Sequence, residues 1–317
     1  PTWVVRQLIC TDMNAVKNNP YRTLGLFGNS TEKELQKQIA TIKRFAEVGK
    51  TKAFDYDFPF FGEVVRSTEK VQEAASKIEQ AKNKVHYALF WFLNSGHIDE
   101  AALNNLKEGH IEKATEIWEK TLKDSTVTAK NFAAISNLST LQLGIVTYNG
   151  SFDPEKFSTS IDLKGKLLLS EVFNNFVSTV IGEGISINRD IILKEFADEI
   201  LQIVKPYLNK PKGIKSSQLI SAFNSFPNEI RQYVSGKFTD RPINNIENQI
   251  EKTKQKRDDN PNDAEEYGEE LYKNTIGDLI FLRNVWGANN VQYQMVVNKI
   301  SNELLQCSID FFNIHNK

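Results

Sequence analysis

The chain has 317 residues, 40% of them hydrophobic and 25% charged, a balance that supports folded units and excludes a wholly disordered tract. Its 39 lysines and arginines against 40 acidic residues leave a formal net charge of -1, so no global field draws it to nucleic acid or to an anionic membrane. The longest strongly apolar run, Val85 to Leu93, is far shorter than the roughly 20 residues that cross a bilayer.

Two or three units of ordinary domain size are expected at this length. Cys10 and Cys307 stand near opposite ends and make neither a zinc spacing nor a disulfide framework, so both read as ordinary thiols. The chain begins at Pro1 without a basic, apolar, small-residue leader, and a cytoplasmic location is expected.

Apolar residues recur at three- and four-residue spacing almost throughout, and alternation with period two is scarce, which predicts an all-α protein. In NPYRTLGLFGNSTEKEL, Asn19 to Leu35, Ser30 or Thr31 can cap a helix whose apolar face is Leu35, Ile39, Ile42 and Phe45. Glu34 is placed to close a capping box, and Gly49 ends the helix. Lys50 to Ser67 is aromatic-rich and broken by Pro59 and Gly62, a loop with much to bury. Ser67 or Thr68 then caps a helix carrying Val71, Ala74, Ala75 and Ile78, and the run from Val85 to Leu93 ends at Ser95 and Gly96.

Ile98 to Lys107 and Ile111 to Leu122 read as short helices joined at Gly109, and Val127 to Leu143 as a third that ends at Gly144. Asn149 to Lys166, rich in Gly, Ser, Asp and Pro, is the expected domain boundary. Beyond it, Leu167 to Ile181 and Asp190 to Leu208 read as helices separated by Gly182 and Gly184, with Pro206 ending or kinking the second. Shorter helices run through Phe238, followed by a polar helix from Ile243 to Lys256 and a loop around Pro261. Two long helices close the chain, Ala264 to Trp286 and Asn290 to Phe312. The last carries Val291, Met295, Ile300, Leu304, Leu305, Ile309 and Phe312, an apolar stripe expected to face a core.

Tyr21, Leu24, Gly25, Leu26 and the Thr31 cap resemble the entry to a J domain, the small helical module of DnaJ-type co-chaperones. The resemblance continues in AASKIEQAKNKVHYALF, Ala74 to Phe90, where Ile78, Lys84 and Tyr87 match an apolar, a basic and a tyrosine position. It implies a J-like module over residues 1-95 and an ATPase chaperone as partner. The family's His-Pro-Asp tripeptide would fall near Glu47, Val48 and Gly49, where it is missing, and no histidine precedes His86. The family's basic second-helix face is only partly present, as Lys37, Lys43, Arg44 and Lys50. Phe54, Tyr56, Phe58, Phe60 and Phe61 occupy the place of the functional loop; packing is expected to explain most of them. With Lys43 and Arg44 they are the candidate partner-binding residues.

EGHIEKATEIWEKTL, Glu108 to Leu122, resembles the second helix of a tetratricopeptide repeat, with Gly109 at the turn, Ala114 as the small residue and Trp118 as the aromatic. A TPR-like helical hairpin is therefore expected over 96-148 and a C-terminal helical bundle over 149-317. No phosphate loop, dinucleotide fingerprint, nucleophile elbow or paired-histidine metal motif occurs, so no catalytic, cofactor-binding or metal residue is assigned. Asp258, Asn260, Asn262 and Glu269 fall at calcium-loop positions, but Asp263 stands where the loop's sharp turn needs Gly. The expected function is that of a non-enzymatic protein interaction or scaffold protein with a chaperone link. The alternatives are an active co-chaperone using a non-standard loop and an enzyme whose site converges only in the fold, with Asp55 or Asp57 near His86.

Overall fold

The computed structural model describes residues 15–122 and 126–315; Cys10 lies outside them. Among the described residues there are fourteen α-helices and no strand, so the all-α expectation holds. The chain forms two compact units, residues 1–214 and 215–317. The expected boundary at 149–166 is corrected: Asp153 caps helix α8 (Pro154–Leu169) through the backbone N–H groups of Glu155 and Lys156. Pro at the first turn and a capping Asp start a helix, so a composition that reads as a linker serves here as a helix entry.

The first unit is organised around α1 (Pro20–Leu24). Asn19, fully buried, caps it by accepting from the Tyr21 N–H. Its amide donates to the carbonyls of Ala15, Tyr87 and Phe90. One side chain thus ties the entry of α1 to the end of α4 (Ala81–Ala88). Gly25 ends α1 with φ +66°, and a Cβ there would run into the Phe54 ring, so the position needs glycine for conformation and for space. Thr31 caps α2 (Glu32–Glu47), and the Thr31 and Glu34 side chains close the expected capping box.

Ser67 caps α3 (Thr68–Lys77), and α4 leads into a turn in which Leu89, Phe90, Trp91, Phe92 and Leu93 are all buried. The hairpin of α5 (His97–Lys107) and α6 (Ile111–Glu119) turns at Gly109, as its sequence predicts. Ala114 and Trp118 are both fully buried. Next, α7 (Phe132–Gly144) is apolar on nearly every side and buries twelve of its 13 residues, the pattern of a central helix. It packs against α8, and Phe61 seats over Gly144, so the stretches read as separate J-like and hairpin modules share one core. The stretch Leu167 to Ile181, read as one helix, breaks at Ser170 before α9 (Phe173–Ile181). Pro206 ends α10 (Arg189–Val204) in a 3-10 turn.

The second unit begins with α11 (Ser216–Ala222) and continues with three long helices. α12 spans Asn228–Asp259, 32 residues, with Pro242 inside it. Shorter helices were expected on either side of this proline. Packing overrides the missing hydrogen bond, because Ile246, just beyond it, sits in a core with Leu282, Val296 and Ile300. α13 (Ala264–Trp286) and α14 (Val291–His315) complete the bundle.

Asn19 makes a direct stability test. Asn19→Ala removes a cap and an amide shared among three carbonyls, and is expected to cost about 3 kcal/mol in urea unfolding of the first unit. Asn19→Asp keeps the capping acceptor but sets a carboxylate against carbonyl oxygens, and should be no better. A loss below about 1 kcal/mol for both would contradict this account of how α1 is held.

Candidate functional site

The aromatic loop is built from the inside. Phe58 and Phe61 are buried, and both rings lie against Trp91 and Phe92. Two buried guanidinium groups fasten the loop's backbone. Arg22 donates to the carbonyls of Lys17, Asp57 and Gly62. Arg66 donates to the carbonyls of Thr23, Arg22 and Lys52, and meets the Asp57 carboxylate with two nitrogens. Asp57 also accepts from the Phe54 N–H. Burial lowers the Arg22 pKa to about 10, Asp57 opposes that shift and Arg66 adds to it, which leaves the group charged at neutral pH.

Of the candidate partner-binding residues, Phe58 and Phe61 are therefore core residues, and no partner reaches them with the loop in place. Phe54, Tyr56 and Phe60 are half-buried. Phe54 lies under the Arg66 guanidinium and Tyr56 against Phe27. Lys43 and Arg44 are exposed on α2. Positions 47–49, where the J-domain tripeptide would fall, are also exposed, with Val48 at 66%.

The grouping of Asp55 or Asp57 with His86 is not assembled. Asp57 belongs to Arg66, Asp55 pairs with Lys107 at 2.8 Å, and His86 Nε2 faces Glu199 on α10 at 3.8 Å. Nor do Asp258, Asn260, Asn262 and Glu269 share a loop. Asp258 lies in the last turn of α12, residues 261–263 form a 3-10 turn, and Glu269 sits within α13, paired with Lys273 at 2.6 Å.

Sequence reasoning missed two buried ionisable groups whose partners include polar side chains of α7, Asp99 on α5 and Lys164 on α8. Asp99 accepts from Trp118 Nε1, from the Asn137 amide and from the Ser95 N–H, while Asn137 exchanges hydrogen bonds with the Leu93 backbone. Burial raises the Asp99 pKa, and its three hydrogen bonds oppose the rise. Deeper still, the Lys164 amine on α8 donates to the Ser136 carbonyl and to the Ser136 and Thr140 hydroxyls. No carboxylate is among these partners, and burial drives its pKa well below the ordinary lysine value. Its only signal in sequence is a lysine on the apolar side of Phe157, Ile161 and Leu168.

The second unit carries the main outward-facing apolar surface. The α14 stripe, expected to face a core, divides: Ile300 is buried and Leu304 half-buried, whereas Val291, Met295, Leu305, Ile309 and Phe312 are exposed. Tyr272 and Ile280 on α13 are exposed as well. An open groove of about 780 Å³ between α13 and α14 is lined by Gly268, Tyr272, Leu304, Cys307, Phe311 and Phe312. A second, of about 390 Å³, lies between α12 and α14 and is lined by Thr239, Ile243, Trp286, Met295 and Val296. Burial pushes the Cys307 thiol up, so the sulfur at the first groove is a packing atom more than a nucleophile. Among the described residues no helix is long and apolar enough to cross a membrane.

Lys164 gives the first unit a pH dependence whose sign follows from its depressed pKa. The unfolded chain binds this proton below about pH 10.4 and the folded chain binds it only at much lower pH. Stability therefore rises with pH between the folded value and about 10.4. Lys164→Met, similar in length and without the amine, should raise the midpoint of thermal unfolding at pH 7, with the advantage shrinking as pH approaches 10. A destabilised variant with an unchanged pH profile would show that the amine is held charged.

No protein-family model matches the chain, and no curated protein or solved structure matches it at significant similarity.

Proposed function

We propose that this chain is a non-enzymatic helical interaction protein: a packed first unit with a J-like entry, and a second unit that presents a docking face. The carrying observation is the exposed apolar side of α14. A 25-residue helix buries only Val296, Ile300 and Cys307, and five large apolar side chains point to solvent. Single exposed apolar residues are ordinary, but a row of them along one helix marks an interaction site.

The order of α1 to α4, with Tyr21 in the first helix, the capped second helix and Tyr87 in the fourth, supports the J-like reading of residues 1-95. In this reading the module keeps the scaffold and lacks the stimulating tripeptide, while Lys43 and Arg44 remain accessible for a chaperone contact. The TPR-like reading of α5 and α6 draws on Ala114 and Trp118, which fill the space beneath α7.

Two measurements test the proposal. Affinity capture from native lysate with Leu305→Glu/Phe312→Glu should lose the proteins that the unaltered chain retains. Equal recovery by both would remove the docking role of α14. Mixing the chain with the ATPase chaperone of its source should leave turnover unchanged. Stimulation that disappears in Lys43→Ala/Arg44→Ala would instead establish an active co-chaperone. The surface pair is the right choice there, because changes at Phe58 or Phe61 would disturb the core.

A further inference from the structure

The groove between α12 and α14 has an apolar floor. Thr239 and Val296 are buried there, and Ile243 and Trp286 are half-buried. The Thr239 hydroxyl already donates to the Ser235 carbonyl at 3.2 Å, so the floor asks for no hydrogen bond. Gly236 also lines the groove. It sits inside α12 with ordinary helical backbone, where glycine is among the poorest residues, so the path of the chain does not call for it. Nor does the packing of the bundle. The three nearest atoms that a Cβ would meet all belong to the Asp240 side chain, the closest at 3.4 Å. The space left by the missing side chain therefore belongs to the groove.

Two charged groups line it, and they differ. Lys299 pairs with Glu247 at 2.7 Å, whereas the Asp240 carboxylate has no ion pair or hydrogen bond among the described residues. The cations nearest to Asp240 in sequence do not neutralise it. The Lys237 amine lies over the Tyr233 ring at 4.4 Å, and Arg241 is the next residue along the helix, which does not share a face with its neighbour. An uncompensated carboxylate in one groove with a half-buried indole suits a guanidinium, whose planar fork pairs with the acid while its flat face stacks on the ring. The groove follows α12 from Gln232 to Ile243, about 16 Å, which is the span of about five extended residues.

We propose that this groove takes a segment of a partner protein in which an arginine is flanked by apolar residues. The guanidinium meets Asp240 and Trp286, and the apolar neighbours cover Ile243 and Val296. This names the partner chemistry for the interaction reading above and rests on it. A free alkylamine would satisfy the carboxylate but leave most of the groove's length empty, so the charge and the length together select a peptide.

The test is titration of the full isotope-labelled chain, followed by magnetic resonance at the Trp286 indole N–H, the signal that Trp286→Phe removes. The probes are the blocked pentapeptides Ser-Leu-Arg-Leu-Ser, Ser-Leu-Gln-Leu-Ser and Ser-Leu-Glu-Leu-Ser, with butylamine beside them. The arginine peptide should bind about 5-fold more tightly than the glutamine peptide, with the glutamate peptide weakest, and Asp240→Asn should erase that order. Gly236→Leu should abolish binding and raise the thermal midpoint of the second unit by on the order of 4 °C, since leucine is the better helix former. Equal affinity for the three peptides, or an order that survives Asp240→Asn, would overturn the role of the carboxylate. A lowered midpoint in Gly236→Leu would show that the glycine serves the bundle's own packing and would overturn its role in the groove. Butylamine binding as tightly as the arginine peptide would overturn the peptide as occupant. An indole signal that stays fixed up to about 5 mM arginine peptide would overturn the site altogether. In that case, loss of lysate partners by Leu305→Glu/Phe312→Glu would leave the interaction reading standing, and unchanged capture would remove both.

Discussion

Two buried guanidinium groups govern the first unit. Arg22, within α1, and Arg66, packed against it, lie almost wholly out of water, with Asp57 the carboxylate near both. Burial of an unpaired cation would cost far more than a domain's margin of stability, so their remaining donors need fixed acceptors. Those acceptors are backbone carbonyls of residues 17, 22, 23, 52, 57 and 62. A loop without regular structure is thereby given one conformation. Once it is held, Phe58 and Phe61 can bury their rings against Trp91 and Phe92, each contributing about 2 kcal/mol.

The same logic runs through α7. A helix buried on nearly every side has no solvent to satisfy its polar side chains, so each must find a partner in the protein. Asn137 spends its amide on the Leu93 backbone and on Asp99, and Ser139 exchanges hydrogen bonds with Ser160 on α8. Small hydroxyl residues let α7 and α8 approach closely, and the hydroxyls and carbonyl facing Lys164 accept from an amine that has no acid to meet. These contacts fix orientation more than they add stability, since an apolar residue of the same volume is often as good in such a place.

Local signals were legible in the sequence. The Thr31 and Glu34 capping box, the Gly109 turn, the helix end near Pro206 and the burial of Trp118 each depend on a few neighbouring residues. What was not legible depended on distant partners. Pro242 reads as a break, and only the packing around Ile246 keeps α12 continuous. The stretch after Asn149, with its Gly, Ser, Asp and Pro, reads as a linker, whereas Asp153 and Pro154 start a helix. Arg22 and Arg66 look like surface residues until the fold encloses them, because nothing within a few positions of either one announces its acceptors.

The α14 stripe shows the limit of periodicity most clearly. Its apolar residues cover so wide an arc that they form two seams, and a hydrophobic pattern records that a face avoids water without recording what covers it. In the bundle α12 and α13 take up Val296, Ile300 and Cys307. The other seam then faces outward by geometry, since a straight helix turns its opposite sides away from any one core. Because the period of a straight helix exceeds 3.5 residues, such a seam drifts about 20° per heptad. Met295 accordingly lines the groove beside α12, and Phe312 the groove beside α13.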